Sequence, residues 1–521
     1  MKKIVLTILF SFSLLLGQKV WWVDMHNGND SNDGTTLAKA FKTVHKVLES
    51  NSLLTSGQVD TIKVMPSVDG SSSGYYDFGD DELYTATSND FVLIGVAGSD
   101  STIFNAESKN RHMYLDDGQS NKSIIKGITF INGKTASWPG SGSIYISRNT
   151  NIQFIDCVWK NNSTTYSEGA GAIMIREGAT PSFTSCVFDS NYVNATESSG
   201  QGGAIYIYQA STKAILESSI KFKKTIFTNN YVQAKYSAEG GAIKSYRNVD
   251  IENSLFVNNG SIANNGYSNQ EAYGGAVALN MYHYNNGSYD GGTARIINST
   301  FHGNYLRSVS SSNGNMYGAA ISYGRWDDAD SKTFIFNSVI TGSRVIVDTT
   351  DIDMSGLSSD EKKKLFIGTP NYDRAKLTMD YSNVQVSVTG NGWGDNIYNV
   401  TPAYNDTSKN DYSLSAKSPL IGAGIASWDD EGGADAGLSA PTEDLLGATR
   451  PNPSGSSPDM GAYENSLGSS PAPMPVADLV VKRASSSAKL SWSKVKEKLG
   501  SSTDATGVTY RIYQDGSQVD S

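Results

Sequence analysis

Aromatic residues recur along the middle of the chain at a near-fixed interval. Phe130, Trp159, Phe188, Phe227, Phe256 and Phe301 are spaced 29, 29, 39, 29 and 45 residues apart. A basic period of 29 with two longer intervals describes stacked similar units whose loops vary in length. Each unit, between about residues 124 and 345, carries two recognisable strands. One opens on small residues: Gly142-Ser143-Ile144-Tyr145, Gly171-Ala172-Ile173-Met174, Gly203-Ala204-Ile205-Tyr206, Gly241-Ala242-Ile243-Lys244, Gly275-Ala276-Val277-Ala278 and Ala319-Ala320-Ile321-Ser322. The other ends in the aromatic, and from Trp159 onward asparagine follows three positions later, as Asn162, Asn191, Asn230, Asn259 and Asn304.

Two short strands per period, without a 3.6-residue pattern, exclude helical solenoids, and a propeller blade needs four strands in a longer period. A parallel β-helix remains. Its coils stack at the ordinary strand spacing of roughly 4.8 Å, so equivalent residues lie above one another. The rings then form an interior stack, and the asparagines form an amide ladder at a turn. The expected solenoid runs continuously from about residue 60 to 345, capped at its start by the segment around 20–50. Composition agrees: 51 glycines against 13 prolines suit many short strands and tight turns, because glycine accepts positive φ and proline deletes ladder hydrogen bonds.

Net charge is −10 and the pI near 5.1, which excludes nucleic acid and anionic membranes as expected partners. It also disfavours a polyanionic polysaccharide unless cations or a local basic patch compensate. Met1-Lys2-Lys3, an apolar run over 4–16 and Gly17-Gln18 read as a secretory signal over residues 1–17. No later apolar run is long enough to span a bilayer. The expected product is a monomer, secreted or displayed on a bacterial cell surface.

Further stretches sharpen the reading. Near the start stand Trp22-Val23-Asp24, Gly28-Asn29-Asp30-Ser31-Asn32-Asp33-Gly34 and Phe41-Lys42-Thr43-Val44. Between residues 411 and 464 stand Asp411-Tyr412-Ser413-Leu414, Ser418-Pro419-Leu420-Ile421, Arg450-Pro451 and Asp459-Met460-Gly461-Ala462-Tyr463-Glu464. With the repeats, these resemble the right-handed parallel β-helix proteins of the pectate-lyase-like superfamily, and in particular bacterial secreted proteins of the choice-of-anchor-Q type. Gly422 stands where that pattern usually has an acidic residue. The resemblance spans roughly residues 20–465 and is specific for fold rather than activity.

The expected organisation is a β-helix with N-terminal cap over 18–345, its C-terminal part with a loop insertion and the terminal signature over 346–465, and a Ser/Pro linker over 466–477. Residues 478–521 resemble the first half of a fibronectin type III sandwich. Such a domain takes roughly 100 residues, so an incomplete β-sandwich is expected.

Several residues are candidates for chemistry. Alternation along the Gly-Ala-Ile strand points Tyr206, Tyr208, Lys244 and Tyr246 outward, with Arg176 at their edge, a set suited to stacking and hydrogen-bonding a sugar chain. The superfamily resemblance implies a possible lyase role: such enzymes abstract a proton beside a uronate carboxylate with a Lys or Arg base and a cation, often Ca²⁺. Lys244 with Arg176 or Arg247 would supply part of that set. An ordinary solvated β-surface is the competing reading of the same residues. The acidic loop with Asp30 and Asp33 is a candidate Ca²⁺ ligand set, but it lacks the bidentate acid of a calcium hand and reads first as a cap. Cys157 and Cys186 share one repeat column, so they are either a disulfide or two small inward residues. No Ser/His/Asp elbow, zinc spacing, P-loop or dinucleotide fingerprint occurs. Three readings result: non-catalytic glycan binding or adhesion, with a polysaccharide or cell-surface glycan as partner; a polysaccharide lyase; or a structural stalk.

Overall fold

In the computed structural model, the chain is a parallel β-helix. It is described at residues 18–68, 74–79, 81–264, 271–286, 288–309, 315–324, 330–369, 375–386, 393–394, 396–428 and 438–469, and in short segments between 479 and 520. The segment read as a secretory signal lies outside the described residues. Among the described residues no helix is long and apolar enough to cross a membrane.

One coil shows the plan. Ile124–Lys126 belongs to sheet I, Thr129–Ile131 to sheet II, Lys134–Thr135 to sheet III, Gly140–Ser141 to a short extra sheet, and Ile144–Ile146 to sheet V. The chain then re-enters sheet I at Gln153–Ile155, directly beside Ile124–Lys126. In later coils the extra sheet continues as the four-stranded sheet IV, from Gly200–Gln201 to Asn315–Tyr317. A coil therefore carries four or five strands, not two. The Gly-Ala-Ile strand is sheet V and the aromatic strand is sheet II. The strands of sheets I and III were missed because within the repeats each is two to five residues long, too short for alternation to register.

Parallel pairing also extends past both expected limits. Val20–Val23 pairs with Val59–Val64, so the segment expected as a cap begins with a strand of sheet I. Lys376–Asp380 ends sheet I, and Ile397–Tyr398 ends sheet II. Residue 345 is thus inside the solenoid rather than at its end.

The inside is built of columns. Phe130, Trp159, Phe188, Phe227, Phe256 and Phe301 stack in register, with centroid separations of 4.5–5.3 Å and nearly parallel planes. A second column, Phe154, Phe183 and Phe222, rises on sheet I. The asparagine ladder is buried: Asn162 Nδ2 donates to Asn191 Oδ1 at 2.9 Å, and the pattern repeats at 3.0 Å through Asn230, Asn259 and Asn304. Each Nδ2 also donates to the carbonyl of a ring residue one coil back, as Asn230 does to Phe188. Glycine at the opening of the sheet V strand is set by space: a Cβ on Gly203 would sit 1.9 Å from the Gly241 carbonyl oxygen of the next coil.

The described residues of 404–428 and 438–465 fold back along the outside of sheet II. Their Leu445, Ala462 and Tyr463 cover Leu255 and Val257. Turn asparagines anchor this strap: Asn253 Nδ2 donates to the Glu443 carbonyl, Asn298 Nδ2 to that of Asp459, and Asn337 Nδ2 to that of Ile425. Gly422, at φ +62°, donates its N–H to Asp459 Oδ1 at 2.7 Å. Beyond the linker, Val480–Arg483 pairs with Ala488–Ser491, Glu497–Lys498 with Ser501–Asp504, and Ile512–Gln514 with Ser517–Asp520, each antiparallel. Among the described residues these pairs do not join into one sheet.

Candidate functional site

Sheet V places one outward residue per coil in a single column. Its register aligns Tyr84, Tyr114, Tyr145, Met174, Tyr206, Lys244 and Ala278. Rings dominate it. Tyr84 stacks on Tyr114 at 5.1 Å and Tyr114 meets Tyr145 at 4.6 Å. After the break at Met174 the line resumes with Tyr206, which meets Tyr208 at 5.7 Å and Tyr246 at 6.2 Å. Tyr246 leads to Tyr282, and Tyr282 to Tyr289, on the hairpin Tyr282–Asn285/Ser288–Gly291. The result is an aromatic band along the solenoid, with Tyr84 46% and Tyr284 57% exposed at its two ends.

The expected residues fall into this band unevenly. Tyr206, Tyr208 and Tyr246 are gathered in one apolar cluster, but Tyr206 is only 2% exposed and Tyr246 is buried. Lys244 is 1% exposed, because Glu239 on sheet IV reaches across and pairs with it at 2.6 Å. It is not the solvated outward lysine that alternation implied. The covering layer, sheet IV, comes from the connection between the ladder asparagine and the Gly-Ala-Ile strand, which follows no repeated pattern, so the strand pattern alone did not reveal it.

Arg247 is not on that face at all. Its guanidinium is buried inside the solenoid, donating to the carbonyls of Ala179 at 2.9 Å and Ile215 at 3.1 Å and to Ser218 Oγ at 2.9 Å. It ties three coils together, and burial pulls its pKa down to about 10. The set Lys244, Arg176 and Arg247 therefore does not converge on one open surface.

Arg176 is at the rim, as expected. Its guanidinium lies between the faces of Tyr208, 3.9 Å away, and Trp138, 4.3 Å away. Trp138, 45% exposed, projects from the loop before the extra sheet. Arg111 steadies that loop by donating to the Pro139 carbonyl at 2.9 Å. Arg176 Nε and Ser147 Oγ, one coil earlier in the same register, are both enclosed and have no hydrogen-bond partner among the described residues. A cleft of about 300 Å³ adjoins the loop, lined in part by Glu82, Arg111, Lys134 and Ser137. The Tyr84 hydroxyl donates to Glu82. Tyr84, Tyr114 and Trp138 were missed by sequence: the first two precede the Gly-Ala-Ile repeats, and Trp138 sits in a loop.

Two arginines beside the band are paired with carboxylates. Arg111 pairs with Glu82 at 2.6 Å and Arg148 with Asp116 at 3.5 Å. Partial burial raises the Asp116 pKa, with Asp117 and Glu177 adding repulsion against the opposing Arg148.

The remaining candidates are occupied locally. Asp30 accepts from the Lys42 and Thr43 backbone N–H groups and from Thr43 Oγ1, which fastens the acidic loop to the segment after Phe41. Asp33 accepts from Thr35 and Lys39, and these bonds lower its pKa to about 2. No group of three or more His, Cys, Asp or Glu able to hold a metal occurs among the described residues. Cys157 and Cys186 lie opposite one another on adjacent coils, since Val187 N–H donates to the Cys157 carbonyl, but the thiols are free. Burial pushes the Cys157 pKa up to about 12 and that of Cys186 well above the usual thiol value. Of the two alternatives the sequence left open, the structure has two packed inward thiols, which donate to backbone carbonyls of sheet I. A cavity of about 680 Å³ at the far end is lined by Tyr323, Lys364, Lys376 and Trp393, among others. Its lining includes Ala375 and Trp393, each next in sequence to residues outside the described set.

No family model matches the chain, and no curated protein matches it. Among solved structures, pectate lyase Pel9A is similar at 13% identity and a TM-score of 0.37, over 86% of this chain and 96% of that one. That likeness is too slight to carry any residue's role across.

Proposed function

We propose that the chain is a secreted or surface-displayed β-helical protein that binds an extended glycan along the outward band of sheet V without cleaving it. The observation that carries this is the surface of the ring line from Tyr84 to Tyr289: Tyr84, Trp138 and Tyr284 are exposed and Tyr114, Tyr208, Tyr282 and Tyr289 half-buried, over the buried Tyr145, Tyr206 and Tyr246. Aromatic faces pack against the C–H faces of sugar rings, and polar groups beside them take the hydroxyls. A band running over successive coils suits a polymer better than a small molecule. Closure of Lys244 against Glu239 supports binding over proton abstraction, since a base must reach the proton it removes.

The exposed rings are the proper probes, because truncating Lys244 would leave Glu239 charged and buried. Affinity electrophoresis on a panel of polysaccharides, with and without Ca²⁺, should show binding to at least one polymer. Trp138→Ala and Tyr84→Ala should each weaken it by about 1 kcal/mol, with the circular dichroism spectrum unchanged. Ultraviolet absorbance from an unsaturated uronate would overturn the reading in favour of a lyase. Parental behaviour of both variants, or no binding at all, would reject the band as a glycan site and leave a stalk.

A further inference from the structure

The charge around the band decides which glycans it accepts. Each cation near the rings is already committed, except at the rim. Arg111 is held by Glu82, Arg148 by Asp116, and Lys244 by Glu239 within a buried pair. Arg176 has both faces covered, by Trp138 and Tyr208, leaving only its edge for a ligand. Lys213, beside the hairpin, is shared between Asp290 and Glu217. Lys134 is exposed at the outer rim of the small cleft.

Carboxylates remain beyond those pairs. Asp117 accepts from Thr85 Oγ1, next to Tyr84, at 2.7 Å; Glu177 directly follows Arg176; and Glu168 directly precedes Gly169, whose strand pairs with Gly140 beside the Trp138 loop. Glu168 and Glu177 are exposed. A polyanion laid on the rings would meet this surplus negative charge in a chain that is itself −10 overall. An uncharged sugar meets no such penalty, and Trp138, 45% exposed, offers it a ring to pack on.

Resting on the glycan-binding reading, we infer that the band selects uncharged polysaccharide and discriminates against uronate polymers. The discrimination is electrostatic repulsion by Glu168, Glu177 and Asp117, while Trp138 supplies stacking common to both classes. The matched probes are polygalacturonate and polymannuronate, each as the free acid and as the full methyl ester, with xylan as an uncharged third backbone.

Titration calorimetry of the full chain should find an ester or xylan bound at least about tenfold more tightly than any free acid. The double variant Glu168→Gln/Glu177→Gln should narrow that preference several-fold, and lowering ionic strength should widen it in the parent. Trp138→Ala should weaken all bound polymers alike. Tighter binding of a free acid, or free-acid binding that appears only with Ca²⁺, overturns the inference while leaving a glycan site in place. If no polymer binds, or Trp138→Ala changes nothing, the glycan reading itself fails and takes the inference with it.

Discussion

Phe188 lies between Trp159 and Phe227 at 4.6 and 4.9 Å, with ring planes within about 6° of parallel. Removing such a ring takes one layer from a closed stack that cannot collapse, because the coil spacing is fixed by the backbone ladders on either side. Phe188→Ala or Phe256→Ala should therefore destabilise by roughly 3–5 kcal/mol, measured as a shift in denaturant midpoint. A negligible shift in both would mean that the rings are not a buried column. Spacing alone made these positions legible, since inward residues of a solenoid must repeat with the coil. Lys244 followed the same register rule but was misjudged in its environment. Its strand position was readable, whereas Glu239, which closes over it, arrives from the connection between Asn230 and Gly241, outside the repeated strands.

At the scale of elements, the asparagine ladder marks the turn between sheets II and III. Asn230 Oδ1 accepts from the backbone N–H and Nδ2 of Asn191, while its own Nδ2 donates to Asn259 Oδ1 and the Phe188 carbonyl. Asn230→Ala strands several buried polar groups at about 1–3 kcal/mol each, so the loss should exceed that of an exposed Asn→Ala change such as Asn405→Ala. Hydrogen exchange should localise the damage to the two neighbouring turns. Exchange unchanged at Asn191 and Asn259 would contradict a continuous ladder. The ladder could be anticipated because asparagine recurs with the ring. The residue before it, in left-handed conformation at Asn161, Ser190, Asn229 and Asn258, varies in type and hides the turn's geometry.

Across the whole molecule, the strap over sheet II is held by a buried acidic cluster. Arg450 Nε pairs with Glu464 at 2.8 Å, and both side chains are fully enclosed. Asp459, nearby, accepts from the Gly422 and Asn465 N–H groups. Burial, reinforced by the Glu464 charge, lifts the Asp459 pKa to about 7, and burial lifts Glu464 as well. A carboxyl whose pKa is raised on folding binds its proton more tightly in the folded state. Its contribution is then most favourable below the unfolded-state pKa and is lost as pH rises through about 7. Hydrogen exchange over 420–465 should accelerate between pH 5 and pH 8 beyond the intrinsic rate change, and Asp459→Asn should flatten that response. A strap whose protection is independent of pH in the parent would contradict the shift. Asn405, Tyr412 and the hairpin around them serve as an internal reference on the same strap.

The sequence by itself determined the coil: its period, its inward rings, its amide ladder and the register that aligns Cys157 with Cys186. These follow from local spacing, because a parallel stack repeats the same environment at every turn. Only the tertiary structure decided the number of strands per coil, the burial of Lys244 and Arg247, and the path of the strap over sheet II. It also placed Trp138 over Arg176 beside a column that begins at Tyr84. Each of these depends on loops of unequal length, or on segments some 200 residues away, as Arg450 is from Asn253. Such meetings leave no periodic trace in the chain, since their cost and geometry are set by the folded scaffold that brings them together.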